Sequence, residues 1–174
     1  MNRTNIFIGV ALIFAASMSP ANATTATGTF AVTATVTSGC VIASTTDLAF
    51  GNYDPANVNF STQKTGTGSV SVRCVIGGTG ISLALNQGAH PVTGSTCTIP
   101  QRQMVFGINT LPYFLYSNPG NTTVWGCTTG TNTVSFTPTG VLTANVLTTY
   151  GVIPAGDDTP AGNYSDTVTA TVTF

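Results

Sequence analysis

The chain has 174 residues, of which only 5% are charged, with four basic and five acidic side chains, one histidine and a net charge of −1. Three scattered cations beyond the N-terminal segment (Lys64, Arg73 and Arg102) form no basic stripe, which argues against nucleic acid as a partner. A 42% hydrophobic content rich in Thr, Val and Gly excludes a disordered chain and suits β-strands, where β-branched side chains pack on a pleated surface.

Met1–Ala23 reads as a secretory signal peptide. Arg3 supplies the positive charge and Ile6–Ala16 the apolar run. That run is too short to span a bilayer, which needs about 20 residues. Ala21-Asn22-Ala23 supplies the small-x-small cleavage pattern, so the mature chain is expected to start at Thr24. No later run approaches spanning length, and the protein is not expected to cross a membrane. About 150 residues remain, the usual size of one domain.

No later stretch has a 3.6-residue apolar rhythm, and no helix is expected. Thr27–Thr37 alternates strictly, with Phe30, Val32, Ala34 and Val36 on one face and Thr29, Ala31, Thr33 and Thr35 on the other. Cys40–Ala43 resumes a strand after Ser38-Gly39. Asp47–Tyr53 reads as a short strand, and Asn52–Lys64 as a surface loop. Ser69–Ile76 turns Val70, Val72 and Cys74 inward. Ile81–Asn86 does the same with Ile81, Leu83 and Leu85, and the two runs, joined by Gly77-Gly78-Thr79-Gly80, read as a hairpin. Gln101–Ile108, Leu111–Tyr116, Thr131–Thr137 and Leu142–Ile153 follow as strands. Pro154–Gly162 is a loop. Gly162–Phe174 closes with Val168, Ala170, Val172 and Phe174 opposite Thr167, Thr169, Thr171 and Thr173. Short strands broken by Gly, Pro and Asn at such spacing predict a β-sandwich or barrel.

Four cysteines in a secreted chain imply disulfides. Of three possible pairings, Cys40–Cys74 with Cys97–Cys127 is favoured, because each bond then closes a loop of about thirty residues and contributes about 3–4 kcal/mol in the chain-entropy model.

Candidate chemistry is sparse. His90 is the only candidate base for neutral pH, it lies in a loop without a neighbouring acid in sequence, and no nucleophile elbow occurs, so a solvated loop histidine is the better reading. Asp157-Asp158 lacks the alternating oxygens of a calcium loop. Gly77–Gly80 lacks the lysine of a phosphate cradle. Asn121-Thr122-Thr123 and Asn163-Tyr164-Ser165 match the glycosylation pattern, which arises easily in so Thr-rich a chain. No enzyme, metal or cofactor is expected. Tyr113, Phe114, Tyr116 and Trp125 could form a sugar-stacking platform, although core and rim aromatics of a sandwich are the favoured reading.

The more specific signal lies in the strands. Neither Thr27–Thr37 nor Thr167–Phe174 carries the Lys, Glu, Asp or Pro with which monomers blunt an exposed edge. Thr27–Thr37 either closes its own sandwich or adds to the next molecule's sheet.

The chain resembles the spore coat protein U domain family, whose members include pilin subunits of the archaic chaperone–usher pathway of Gram-negative bacteria. The resemblance covers the mature chain. It rests on the striped strand leading into Ser38-Gly39-Cys40, on Leu48–Tyr53, on Val70–Cys74, on Leu111–Tyr116 with Trp125-Gly126, and on Ala161–Tyr164 through Phe174. It implies an all-β, incomplete immunoglobulin-like sandwich of six strands, pilin type, completed by a donor strand. The implied division is signal peptide 1–23, donor extension 24–38 and pilin domain 39–174. Phe30, Val32, Ala34 and Val36 would be the donor residues, and Val168, Ala170, Val172 and Phe174 would line the acceptor groove. Cys40–Cys74 matches the family's bridge, with Cys97 and Cys127 as an extra pair. The implied partners are other subunits in a homo- or heteropolymer, a periplasmic chaperone and an outer-membrane usher. The implied location is the cell surface, reached through the periplasm, with a role in adhesion and biofilm formation. The family name also admits a spore-coat role. The alternative from another class is a self-contained secreted carbohydrate-binding sandwich.

Overall fold

The structure is a computed structural model that describes residues 23–174; the predicted signal peptide falls almost wholly outside them. The compact body runs over Val36–Phe174. Its strands are β1 (Cys40–Thr46), β2 (Lys64–Cys74), β3 (Ser82–Leu85), β4 (Arg102–Phe106), β5 (Asn109–Tyr116), β6 (Val134–Ser135), β7 (Asn145–Ile153) and β8 (Ala170–Thr173). A 3₁₀ turn at Val58–Phe60 is the one helical element among the described residues. Eight laddered segments exceed the six implied by the resemblance, because short ladders such as the two-residue β6 count separately.

A five-stranded sheet, ordered β1-β2-β7-β5-β4, faces a three-stranded sheet, ordered β6-β3-β8. Every ladder is antiparallel. The longest joins β2 to β7, from Lys64 opposite Ile153 to Val72 opposite Asn145. Period-two alternation puts Val70, Val72, Cys74, Leu111, Tyr113, Leu115 and Leu147 on the inner face of the large sheet. Leu83 and Leu85 answer from the small sheet, with Ile81 and Trp125 completing the core. The expected inward faces of Ser69–Ile76 and Ile81–Asn86 are therefore present.

Three expected elements differ. First, β2 and β3 are not a hairpin: the Gly77–Gly80 turn carries the chain from one sheet to the other, where β2 pairs with β1 and β7 and β3 with β6 and β8. Second, Asp47–Tyr53 is not a strand. Leu48 and Phe50 instead lie on a strip of backbone left bare by Gly66, Gly68 and Gly151, where a Cβ on Gly151 would meet both side chains at 2.7–2.8 Å. Third, residues 27–37 form no strand. A strand needs a ladder partner to fix it, and the stripe is a surface suited to pairing that has none among the described residues.

Both disulfides are formed, Cys40 to Cys74 and Cys97 to Cys127. The first joins directly paired residues at the start of β1 and the end of β2. The second holds the loop before β4 against the segment that follows Trp125.

Candidate functional site

The sandwich is open along one side. β1 is laddered to β2 alone and β8 to β3 alone, so each leaves one edge without a partner among the described residues. Beyond half-buried Cys40, every residue of β1 is exposed, Val41 and Ile42 included. An edge strand of a closed sandwich would bury alternate residues, so the inward face of β1 is uncovered. The start of β1 and the end of β8 meet around a cavity of about 250 Å³ whose lining is mixed, with Ser38 and Thr79 beside Cys40, Val75, Ile81 and Phe174.

The predicted acceptor residues sit on the β8 side of this opening. Val168, Ala170 and Val172 are half-buried and pack against the core cluster, whereas Phe174 is 58% exposed at the cavity. The predicted donor residues are all solvent-facing: Phe30, Val32 and Val36 are 87%, 83% and 80% exposed, and Ala34 is exposed as well. The chain therefore carries an open apolar edge and an unburied apolar stripe.

A second cluster, which local sequence did not reveal, lies where the last segment enters the fold. The Asp166 side chain is 2% exposed. Its Oδ1 accepts from the backbone N–H of Ala89 (3.0 Å) and His90 (3.3 Å) and lies 3.1 Å from His90 Nδ1. Its Oδ2 accepts from the Tyr113 hydroxyl at 2.6 Å. Burial, followed by this hydrogen bond, pushes the Tyr113 phenol well above the ordinary tyrosine range. Arg102, 1% exposed, points inward beside Tyr113. It donates Nε and Nη2 to the carbonyls of Leu85, Asn86 and Trp125. Burial lowers the guanidinium to about 10, against the opposing pull of Tyr113 and Asp166. These groups tie β3, β4, β5 and the last segment together. His90 is thus a partly exposed lid on a buried carboxylate rather than a free loop side chain. Among the described residues no hydroxyl hydrogen-bonds its ring, so the pair lacks the nucleophile that a hydrolytic site would need.

The sugar-stacking alternative loses its platform. Trp125 is 1% exposed, donates its indole N–H to Leu83 O at 3.0 Å and fills the core, as does Tyr113. Phe114 and Tyr116 pair on the outer face of β5, with ring centroids 6.4 Å apart. Asp157 and Asp158 do not take part in any cluster of three or more metal-ligating side chains among the described residues. No helix among those residues is long and apolar enough to cross a membrane.

A two-sheet β-sandwich stapled by two disulfides, in which β1 and β8 lack a second ladder partner among the described residues, defines the class: an all-β module of the incomplete, pilin type. The chain belongs to the spore coat protein U domain family, whose model matches residues 26–171. It is 41% identical over 165 residues to Protein U of Myxococcus xanthus, covering 91% of this chain and 90% of that one. Its fold also matches a chain of the chaperone–tip adhesion subunit pre-assembly complex CsuC–CsuE, from the archaic chaperone–usher Csu pili of Acinetobacter baumannii. That match has a TM-score of 0.55 and 26% identity, and it takes in 80% of this chain but only 40% of the other. Family and fold place the chain among structural proteins rather than enzymes.

Proposed function

We propose that this protein is a subunit of a chaperone–usher fimbrium, polymerised by strand donation. The segment Thr24–Ser38 of one copy enters the opening between β1 and β8 of the next, with Phe30, Val32, Ala34 and Val36 turned toward the core. Until then, a periplasmic chaperone covers the opening, and an outer-membrane usher presides over the exchange. The assembled fibre stands on the cell surface and serves attachment and biofilm formation. The observation that carries this reading is the coincidence of two incomplete features: an uncovered sheet edge beside a cavity of mixed lining, and a striped segment with no strand partner among the described residues. Added strands gain affinity from main-chain hydrogen bonds and specificity from alternate side chains, which is what a stripe of period two supplies.

The test is an SDS gel of material sheared from producing cells, run with and without boiling. A ladder of multimers that collapses to monomer on boiling, and that disappears when Thr24–Ser38 is deleted, is the expected result. A lone monomer band in both lanes, with protein free in the medium, would refute the proposal.

A further inference from the structure

The last segment changes sheets. Ser165 exchanges two backbone hydrogen bonds with Val105 of β4, at 2.9 and 3.2 Å. Four residues later, Thr169 bonds with Asn86, and β8 then runs along β3. Asp166 sits at the crossing point. It shares its parity with Tyr164, Val168, Ala170 and Val172, all half-buried, while residues 165, 167, 169, 171 and 173 are exposed.

The alternation of apolar residues and threonines favours one register for β8, but it acts through only three half-buried side chains, Val168, Ala170 and Val172, and a four-residue ladder with a bare outer edge. A slip of one position would turn Val168, Ala170 and Val172 outward and the threonines inward. The Asp166 carboxylate accepts from Ala89 N, His90 N and the Tyr113 hydroxyl, with His90 Nδ1 in reach, and these groups are met only in the observed register. The seat is closely fitted: Gly88 has φ +83°, and a Cβ there would overlap the Asp166 carboxylate. Burying a carboxylate in this way adds little net stability, and such groups are best attested as devices that fix register.

From this we infer that Asp166 is a positioning residue: it sets the register of β8 so that the acceptor edge is formed, with its apolar residues inward, before any strand arrives. The inference rests on the strand-acceptor reading for its purpose, although not for its geometry. The full mature chain would be compared with Asp166→Asn, Tyr113→Phe and Leu147→Ala, the last a core residue of β7 far along the chain. Two readouts are taken: amide hydrogen exchange resolved to Thr169–Phe174, and the yield of multimers stable to unboiled SDS.

Asp166→Asn is expected to speed exchange in that segment tenfold or more relative to the β2–β7 ladder, and to lower multimer yield. Tyr113→Phe, which removes one donor and keeps the ring, should fall between it and the wild type. Leu147→Ala, compared at equal distance from its unfolding midpoint, should leave the ratio unchanged. Exchange within twofold of wild type in Asp166→Asn, or an equal local effect from Leu147→Ala, would overturn the inference. If Asp166→Asn fails to fold, Tyr113→Phe decides alone by the same ratio. A wild type that forms no multimers overturns strand donation, while the exchange ratio still judges the register role.

Discussion

Replacing Val32 by Asp and, separately, Thr33 by Asp adds the same charge to neighbouring positions of the same segment. Their predicted effects differ because the stripe has two sides. Val32 is 83% exposed in the isolated chain, so most of the roughly 1.5–3 kcal/mol of a buried valine is gained only on capture. Asp at 32 forfeits that gain and carries a carboxylate into the opening, where the effective desolvation penalty is several kcal/mol. Together these come to about 5 kcal/mol, or between three and four decades in affinity at about 1.4 kcal/mol per decade. Thr33 lies on the outward side, where a surface substitution changes stability by about 0.5 kcal/mol or less. Residues 27–37 form no strand in the body, so neither change should alter the unfolding of the monomer. Sedimentation velocity in native buffer, beside the unboiled gel, measures the outcome. V32D should be monomeric where T33D assembles like the wild type. Equal behaviour of the two variants would refute the assignment of Phe30, Val32, Ala34 and Val36 as the donor face.

Further outcomes follow from the core. Trp125→Ala should destabilise the fold by about 3–5 kcal/mol in urea unfolding, since it empties a buried site and removes the indole hydrogen bond to Leu83 O. Replacing Cys97 and Cys127 together by Ser should cost up to about 3–4 kcal/mol, read in the same assay, because 30 positions separate the two. Tyr113 has a raised folded-state pKa, so its contribution is complete below the ordinary phenol value of about 10 and is lost as pH rises above it. Absorbance titration of the native protein should therefore leave Tyr113 silent until the chain unfolds, and Tyr113→Phe should leave the native amplitude unchanged. Arg102 works in the opposite sense between pH 10 and its ordinary value, because the unfolded chain holds that proton longer. The alkaline loss should thus be shallower than Tyr113 alone would give.

How much of this was legible beforehand depends on the range of the information. Val70, Val72 and Cys74, or Ile81, Leu83 and Leu85, announce their buried face by local alternation, and both faces are found inward. Asp47–Tyr53 has the same local look, yet its fate is decided by three glycines on β2 and β7 that leave a bare strip for Leu48 and Phe50. The supposed hairpin failed for a related reason: a Gly-rich turn permits a return to the same sheet or a crossing to the other, and the pairing of β2 with β7 decides. Asp166 and His90 stand 76 positions apart, and nothing near either residue signals the other. Arg102 is harder still, since a lone arginine in an alternating run reads as the outward residue. Only the three carbonyls waiting inside make its burial tolerable.

The bond between Cys40 and Cys74 also decides how the molecule bears tension. A pull on the residues just before Gly39 reaches the start of β1, an edge strand whose ladder would otherwise unzip one hydrogen bond at a time. Cys40 instead passes the load through two sulfur atoms to Cys74, at the end of the strand that is paired on both sides. The edge strand β1 is thereby taken out of the line of force. The load falls instead on β2, which the β2–β7 ladder holds along nine residue pairs from Lys64 to Val72.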